Sequence, residues 1–106
     1  MPDQIKAAHI LCMHEGSLQS SVPRSKEEAR KKIEEVKAKL DAGGDFAELA
    51  RDNSDCPSAK QGGSVGTFTR GSTVKEFEEV AFGLEVGKMS DVVETPFGFH
   101  IIRRDA

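Results

Sequence analysis

The order in which strand-like and helix-like segments follow one another is the feature that most constrains the fold of this chain. Hydrophobic periodicity and turn residues predict strand, helix, helix, strand, helix, strand and strand. This order lacks the regular strand–helix alternation of a doubly wound parallel sheet. It therefore predicts the α+β class, with a small, largely antiparallel sheet covered by helices.

The predicted segments have recognisable beginnings. Ser25 with Glu28 three positions later indicates a capping box at the start of the first helix, Asp45 begins the second helix, and Thr73 begins the third. Turn residues from 53 to 66 predict irregular structure there. The four predicted strands comprise residues 5–13, 65–69, 90–94 and 97–103.

Length and composition narrow the class of protein. The chain has 106 residues, of which 37% are hydrophobic and 31% charged, so we expect a single domain spanning 1–106. No apolar run reaches the roughly 18 residues that a membrane span needs. The first residues lack the layout of a secretory signal, and two cysteines are too few for a disulfide framework. We therefore expect a cytoplasmic monomer without a membrane partner.

The charge is unevenly distributed. The net charge of -3 argues against a nucleic-acid partner, yet residues 24–39 are predominantly basic. This stretch is either a surface for an acidic partner or a solvated helix face with ion pairs at i,i+4, and we favour the second interpretation. The expected pairs are Glu27–Lys31, Glu28–Lys32 and Glu35–Lys39.

Three side chains in separate segments could carry chemistry, namely His9, Cys56 and His100. A metal site built from His9, Cys12 and His14 is disfavoured, because His9 and Cys12 point to opposite faces of a strand and structural zinc takes four ligands. A Cys-His hydrolase using Cys56 and His100 is also disfavoured, because nothing near Cys56 resembles a nucleophile elbow or a helix start. We expect neither a metal nor a cofactor.

Several short motifs, read together, resemble the signatures of the parvulin-type peptidyl-prolyl cis/trans isomerases. Each motif is weakly specific, but they occur in order over nearly the whole chain. They comprise residues 8–11 (AHIL), 54–60 (SDCPSAK) with Gly62 and Gly63, 66–68, 70–71, 77–82, 87–90 and 98–102 (GFHII). The resemblance implies a four-stranded antiparallel sheet surrounded by about three to four helices. It also implies a cofactor-free isomerase that acts on Xaa-Pro bonds in polypeptide substrates.

The resemblance further implies which residues form the active site. His9 and His100 would lie beside each other at the centre of the sheet, joined by hydrogen bonds that include Thr95. Cys56 would be the polar active-site residue, a position that the family also fills with Asp. The residues implied to bind substrate are Val65, Phe68, Thr73, Phe77, Thr95 and Phe97.

Two departures from the family pattern bear on function. Thr73 stands where the family usually has Met in its proline pocket, which keeps one alternative open: a proline-peptide binding module or holdase chaperone with the same fold and little catalysis. Met13 stands where phospho-specific members carry Lys, and residues 14–23 contain neither Arg nor Lys. Because Arg24 alone is a poor phosphate clamp, we expect no strict preference for a phosphorylated residue before proline.

Overall fold

The computed structural model describes residues 4–16, 24–71 and 73–106, apart from the side chain of Pro57. Most of the predicted loop before residue 24 therefore lies outside the described residues, as do the first three residues. The elements are β1 (Gln4–Cys12), α1 (Lys26–Asp41), α2 (Phe46–Asn53), a 3-10 helix (Pro57–Gln61), β2 (Ser64–Thr69), α3 (Lys75–Gly83), β3 (Val93–Thr95) and β4 (Gly98–Arg104). None of the helices in the described ranges is long and apolar enough to cross a membrane.

The four strands form one antiparallel sheet in the order β2-β1-β4-β3, which confirms the predicted fold class. Its two central strands, β1 and β4, pair so that Leu11 lies opposite His100 and His9 lies opposite Ile102. Residues directly opposite each other on antiparallel strands share a face of the sheet. Both histidines therefore project from the same face at the sheet centre.

Each face of the sheet has its own core, because successive side chains of β1 point in opposite directions. On one face, α1 and α2 cover the sheet with a cluster made of Ala8, Ile10, Cys12, Ala29, Ile33, Val36, Phe46, Ala50, Phe99 and Ile101. On the other face, α3 covers a smaller cluster made of Ile5, Phe77, Ala81 and Ile102. The smaller cluster leaves the His9 end of that face free for a site.

β1 changes its pairing partner halfway along its length. Its register with β2 shifts in the middle of the strand, and the segment 54–63 takes over the same edge. The His9 amide donates to the Gly63 carbonyl at 2.8 Å, and the Asp55 amide donates to the Leu11 carbonyl at 2.7 Å. The segment that carries Cys56 is thereby fixed against the strand that carries His9.

The caps predicted at Ser25 and Asp45 are confirmed, whereas the predicted cap at Thr73 and the predicted irregular stretch 53–66 were wrong. The N-cap of α3 is Val74, because the Thr73 hydroxyl donates to the Val74 carbonyl at 3.4 Å and does not cap the helix. The stretch 53–66 is less irregular than predicted. It contains the 3-10 helix and the start of β2 at Ser64.

The predicted strand over 90–94 was also wrong in part, since β3 is only Val93–Thr95. Ser90 still binds the neighbouring strand: its amide donates to the Ile102 carbonyl at 2.7 Å, and the Ile102 amide donates to the Ser90 hydroxyl oxygen at 3.0 Å. The hydroxyl replaces the backbone carbonyl in the ladder. The chain therefore leaves β4 after Ser90 and rejoins it at Val93.

The ion pairs along α1 differ from those predicted. Within the described chain none of the three expected Glu–Lys pairs forms. The pairs that form are Arg30–Glu34 at 3.3 Å, Lys37–Asp41 at 2.8 Å, Lys37–Asp91 at 3.7 Å and Lys26–Glu94 at 2.6 Å. Acidic side chains of the helix itself and of the segment 91–94 thus oppose these cations.

Candidate active site

A groove of about 460 Å³ opens on the α3 side of the sheet, at the His9 end of β1. It brings together eight of the nine site residues that the sequence indicated: His9, Cys56, Val65, Phe68, Thr73, Phe77, Phe97 and His100. The ninth, Thr95, is buried and contacts His100 instead of lining the groove. The volume of the groove lies within the range of small-ligand pockets, which is roughly 300–1,000 Å³.

The floor of the groove is a pair of histidines. His9 Nδ1 and His100 Nδ1 are 3.0 Å apart, and the two rings stack with centroids 5.2 Å apart. On the far side of the His100 ring, Nε2 lies 2.6 Å from Thr95 Oγ1. The three side chains therefore form one buried hydrogen-bonded row.

The hydrogen bonds determine where the protons of this row lie. Thr95 Oγ1 accepts from the Phe97 amide at 3.2 Å, and within the described residues its own proton has His100 Nε2 as sole acceptor. The His100 proton is then on Nδ1, which donates to His9 Nδ1. The remaining proton lies on His9 Nε2, a buried atom that has no partner in the described part of the chain. An unpaired N–H donor thus remains in the floor.

Burial keeps both rings neutral. Loss of hydration lowers the pKa of His9 from its usual 6.5 to about 4. For His100 the same cause, followed by the charge of His9, lowers the pKa to about 3. Two neutral rings suit the contact between the Nδ1 atoms, because one of them must donate and the other accept.

Aromatic rings form the apolar wall. Phe77 meets His9 and His100 edge-on, with centroids 5.4 Å and 5.6 Å away, and Phe68 lies 5.7 Å from Phe77. Such arrangements place a positive ring edge against a negative face. The wall and the floor are therefore one packed unit.

Three further groove residues were not predicted from the sequence: Leu11, Met13 and Val74. Leu11 and Met13 could have been predicted from the sequence, because side chains alternate along a strand and these two residues share the face of β1 that carries His9. No comparable signal marked Val74. It is the N-cap residue of α3, one position later than the predicted cap.

Cys56 lies where the segment 54–63 meets the groove. The expectation that no helix starts near it was wrong, since Cys56 directly precedes the 3-10 helix Pro57–Gln61. The described hydrogen bonds of His9 and His100 nevertheless do not include its thiol. The arrangement lacks the nucleophile–base contact of a Cys-His hydrolase.

The described residues contain no cluster of side chains suited to bind a metal ion. His9 faces the groove whereas Cys12 is buried in the core under α1, on the opposite face of β1. Across residues 4–16, 24–71 and 73–106, no set of three or more His, Cys, Asp or Glu side chains is placed to hold a metal ion.

Comparison with known proteins agrees with this geometry. Residues 1–105 match the model of the PPIC-type PPIase domain. Peptidyl-prolyl cis-trans isomerase Pin1 of Arabidopsis thaliana is 39% identical, over 98% of this chain and 97% of that protein. Foldase protein PrsA of Geobacillus kaustophilus is 46% identical over 94% of this chain, but over only 31% of its own length. The structure of peptidyl-prolyl isomerase ESS1 from Candida albicans superposes with a TM-score of 0.91 at 30% identity, covering 98% of this chain and 63% of that one.

These matches confirm the family that the sequence motifs indicated. The chain spans nearly the whole Arabidopsis protein and about a third of the foldase. The family model, the relatives and the four-stranded sheet all lead to the same activity. The chain belongs to the PPIC-type, or parvulin-type, family and is a peptidyl-prolyl cis/trans isomerase that acts on proline-containing polypeptides.

Proposed function

We propose that this isomerase lowers the barrier to Xaa-Pro rotation without a covalent intermediate, and that the groove at the His9 end of β1 is its active site. One observation carries the proposal. Three phenylalanines, the Cys56 thiol and the two stacked histidines line a single groove. The combination offers an apolar seat for a proline ring beside polar groups for the preceding carbonyl.

The chemistry of the reaction suits such a groove. The planar amide is charge-separated by resonance, and rotation meets a barrier of roughly 18–20 kcal/mol. The twisted amide is less polar, so a dry apolar pocket disfavours the planar state relative to the twisted one. A reduction of roughly 3–6 kcal/mol gives turnover of about 1–1,000 per second. No bond breaks, so the reaction requires no cofactor.

Each side chain has a distinct role in this proposal. Phe68, Phe77 and Phe97 hold the proline ring, with Val65 and Thr73 at the edge of the groove. His9 and His100, supported by Thr95, shape and polarise the floor of the groove, whereas Cys56 responds to the changing charge of the carbonyl. Neither histidine takes up a proton at neutral pH, because burial lowers the pKa of both.

The Thr73 hydroxyl supports catalysis over the binding-module alternative. The Thr73 O–H donates to the Val74 carbonyl at 3.4 Å. The polar atom therefore has a partner inside the protein, and its methyl group remains for the pocket. A Thr at this position makes the wall smaller without leaving an unpaired hydroxyl in it.

We also propose that this isomerase has no strict preference for a phosphorylated residue before proline. No Lys or Arg is among the described residues that line the groove. Arg24, the nearest basic candidate in the sequence, donates to Asp55 Oδ2 at 2.6 Å and to the Met13 carbonyl at 3.0 Å. Its charge is already balanced by a carboxylate, so it is poorly suited to bind a phosphate.

Paired Xaa-Pro peptides that differ only in a phosphate on the preceding Ser or Thr test this function. We expect exchange spectroscopy by NMR to show acceleration of both peptides, with or without chelator, at rates within about tenfold, or roughly 1.4 kcal/mol. No acceleration of either peptide would leave the binding module as the better interpretation. A preference of about a hundredfold for the phosphopeptide would instead reveal a clamp, with Arg24 and Lys60 the first residues to test.

Substitutions of Cys56 test its electrostatic role. We expect Cys56→Asp to keep substantial activity, and Cys56→Ala to lower kcat/KM by about 10- to 100-fold, because Ala removes a polar group that faces developing charge. The side chain lies in a loop outside both cores, so neither change should lower the melting temperature much. If the two variants fold normally and are equally inactive, the electrostatic role of Cys56 is wrong, and the hypothesis that its thiol acts as a nucleophile has to be reconsidered.

We further propose that residues 1–106 act as one monomeric unit in the cytoplasm. Both thiols are free, which is typical of a reducing compartment. Among the described residues, the large hydrophobic side chains that are exposed are Val65 and Val86, too few for an extended interface. Sedimentation equilibrium of the purified chain would detect a dimer directly.

A further inference from the structure

Arg24, Asp55 and Met13 form a closed ring of contacts at the open end of the groove. Arg24 Nη1 donates to Asp55 Oδ2 at 2.6 Å, and the side chains of this ion pair are only 20% and 19% exposed. The same Oδ2 accepts from the Met13 amide at 2.8 Å, and the same Nη1 donates to the Met13 carbonyl at 3.0 Å. We name these three residues the Arg24 junction.

The Arg24 junction touches the groove at two points. Met13 lines the groove, and Asp55 immediately precedes Cys56, which also lines it. A further hydrogen bond, from the Asp55 amide to the Leu11 carbonyl at 2.7 Å, ties the same corner to β1. The junction therefore connects Met13, the residue before Cys56 and the strand that carries His9.

The junction also closes the base of the segment that precedes α1. The Glu15 amide donates to the Arg24 carbonyl at 2.7 Å, so the chain returns to the end of β1 where it left it. A guanidinium suits this position because its planar fork offers several donors at fixed angles, whereas an ammonium is a single flexible point charge.

We propose that Arg24 and Asp55 are positioning residues of the isomerase, whose ion pair holds Cys56 and Met13 in place against the histidine floor. The proposal rests on the groove being the active site. Arg24 itself does not line the groove. Its effect on the reaction passes through the two residues that the junction fixes.

A second ion pair in the same chain provides a matched control. Lys26 Nζ and Glu94 Oε2 are also 2.6 Å apart, but their side chains are 59% and 52% exposed. Exposed pairs contribute little because water and salt screen them. Neither Lys26 nor Glu94 lines the groove. The effect of losing a short ion pair as such, measured at Lys26–Glu94, can therefore be separated from the effect of losing the Arg24 junction.

The experiment measures kcat and KM on an unphosphorylated Xaa-Pro peptide for the wild type, Arg24→Met, Arg24→Lys, Asp55→Asn, the Met/Asn double variant and Lys26→Met. Inactivity of the wild type would refute the proposed function and is read first. For an active wild type, we expect Arg24→Met to lower kcat by about tenfold with little change in KM, since misplacement of a catalytic group affects the reacting state. Lys26→Met should stay within about twofold of the wild type.

Further readouts distinguish positioning from simple loss of stability. Hydrogen exchange should show reduced protection at the Met13 and Asp55 amides in Arg24→Met, while β4 amides keep theirs. Arg24→Lys should recover part of kcat. The double variant should be no slower than the slower single variant, because both substitutions remove one interaction.

Three results would overturn the proposal: full kcat in folded Arg24→Met, an equal loss in Lys26→Met, or additive losses in the double variant. If Arg24→Met does not fold, Asp55→Asn decides in its place. Asn keeps an oxygen for the Met13 amide but removes the charge that holds Arg24. Full kcat in that folded variant would equally refute a positioning role.

Discussion

We expect a change of pH from 7 to 5 to reduce the free energy of unfolding by about 4 kcal/mol through His9 and His100 alone. Both side chains are buried, 6% and 3% exposed. In the unfolded chain each has a pKa near 6.5 and takes up a proton as the pH falls below that value. In the folded protein burial lowers the pKa of His9 to about 4 and that of His100 to about 3, so neither ring takes up a proton in this pH range. Because the unfolded state binds more protons than the folded state between pH 7 and pH 5, the free energy of unfolding decreases as the pH is lowered.

Urea unfolding at pH 7, 6 and 5 measures this loss. The slope should approach about 1.4 kcal/mol per pH unit for each histidine near pH 5. The exposed carboxylates of Glu28 and Glu94, whose pKa is lowered by hydrogen bonds to Ser25 and Lys26 respectively, lose their contribution only below 4.5, outside the window. A His9→Gln variant should show about half the dependence. Equal stability at pH 7 and pH 5 would mean that both histidines take up a proton in the folded protein as readily as in the unfolded chain.

Replacing Gly63 by Ala should destabilise the protein by about 3–5 kcal/mol, because two costs coincide at this position. The residue has a φ of +86°, which side chains other than glycine rarely adopt. A Cβ atom would also collide with the His9 carbonyl oxygen and lie 3.1 Å from the Ala50 side chain. That carbonyl belongs to a central strand, so it cannot move aside without disturbing the sheet.

Gly66→Ala is the matched control for this prediction. Gly66 has a similar φ of +73°, but nothing lies within 4 Å of a Cβ atom there. We expect a loss of only about 1–2 kcal/mol, the cost of the left-handed backbone. Thermal and urea unfolding of both variants gives the difference. Equal losses would show that the backbone conformation alone matters and that the close approach to β1 does not.

The features that the sequence predicted well depend on near neighbours along the chain. The caps at Ser25 and Asp45 use amides three residues away, and the two faces of β1 follow from alternation within one strand. The family motifs added what local rules could not, namely that His9 and His100 meet across the sheet.

The features that were missed depend on pairing between distant residues or on local competition. The Asp55 amide binds the Leu11 carbonyl at the edge of β1, although the two residues are 44 positions apart. Arg24 forms its ion pair with Asp55, which lies 31 positions later in the chain. No periodicity reports such contacts. Thr73 had the sequence of a helix cap, but its hydroxyl binds the next carbonyl instead, and the helix begins without it. Ser90 likewise replaced a strand bond by a side-chain bond.

The closed base between Glu15 and Arg24 has a consequence for how this enzyme can diversify. Because the chain leaves and re-enters the body of the protein at one point, doubling the length of the intervening segment costs only about 0.6 kcal/mol in loop-closure entropy. A change in the number of residues between Glu15 and Arg24 is therefore inexpensive as long as this contact is kept.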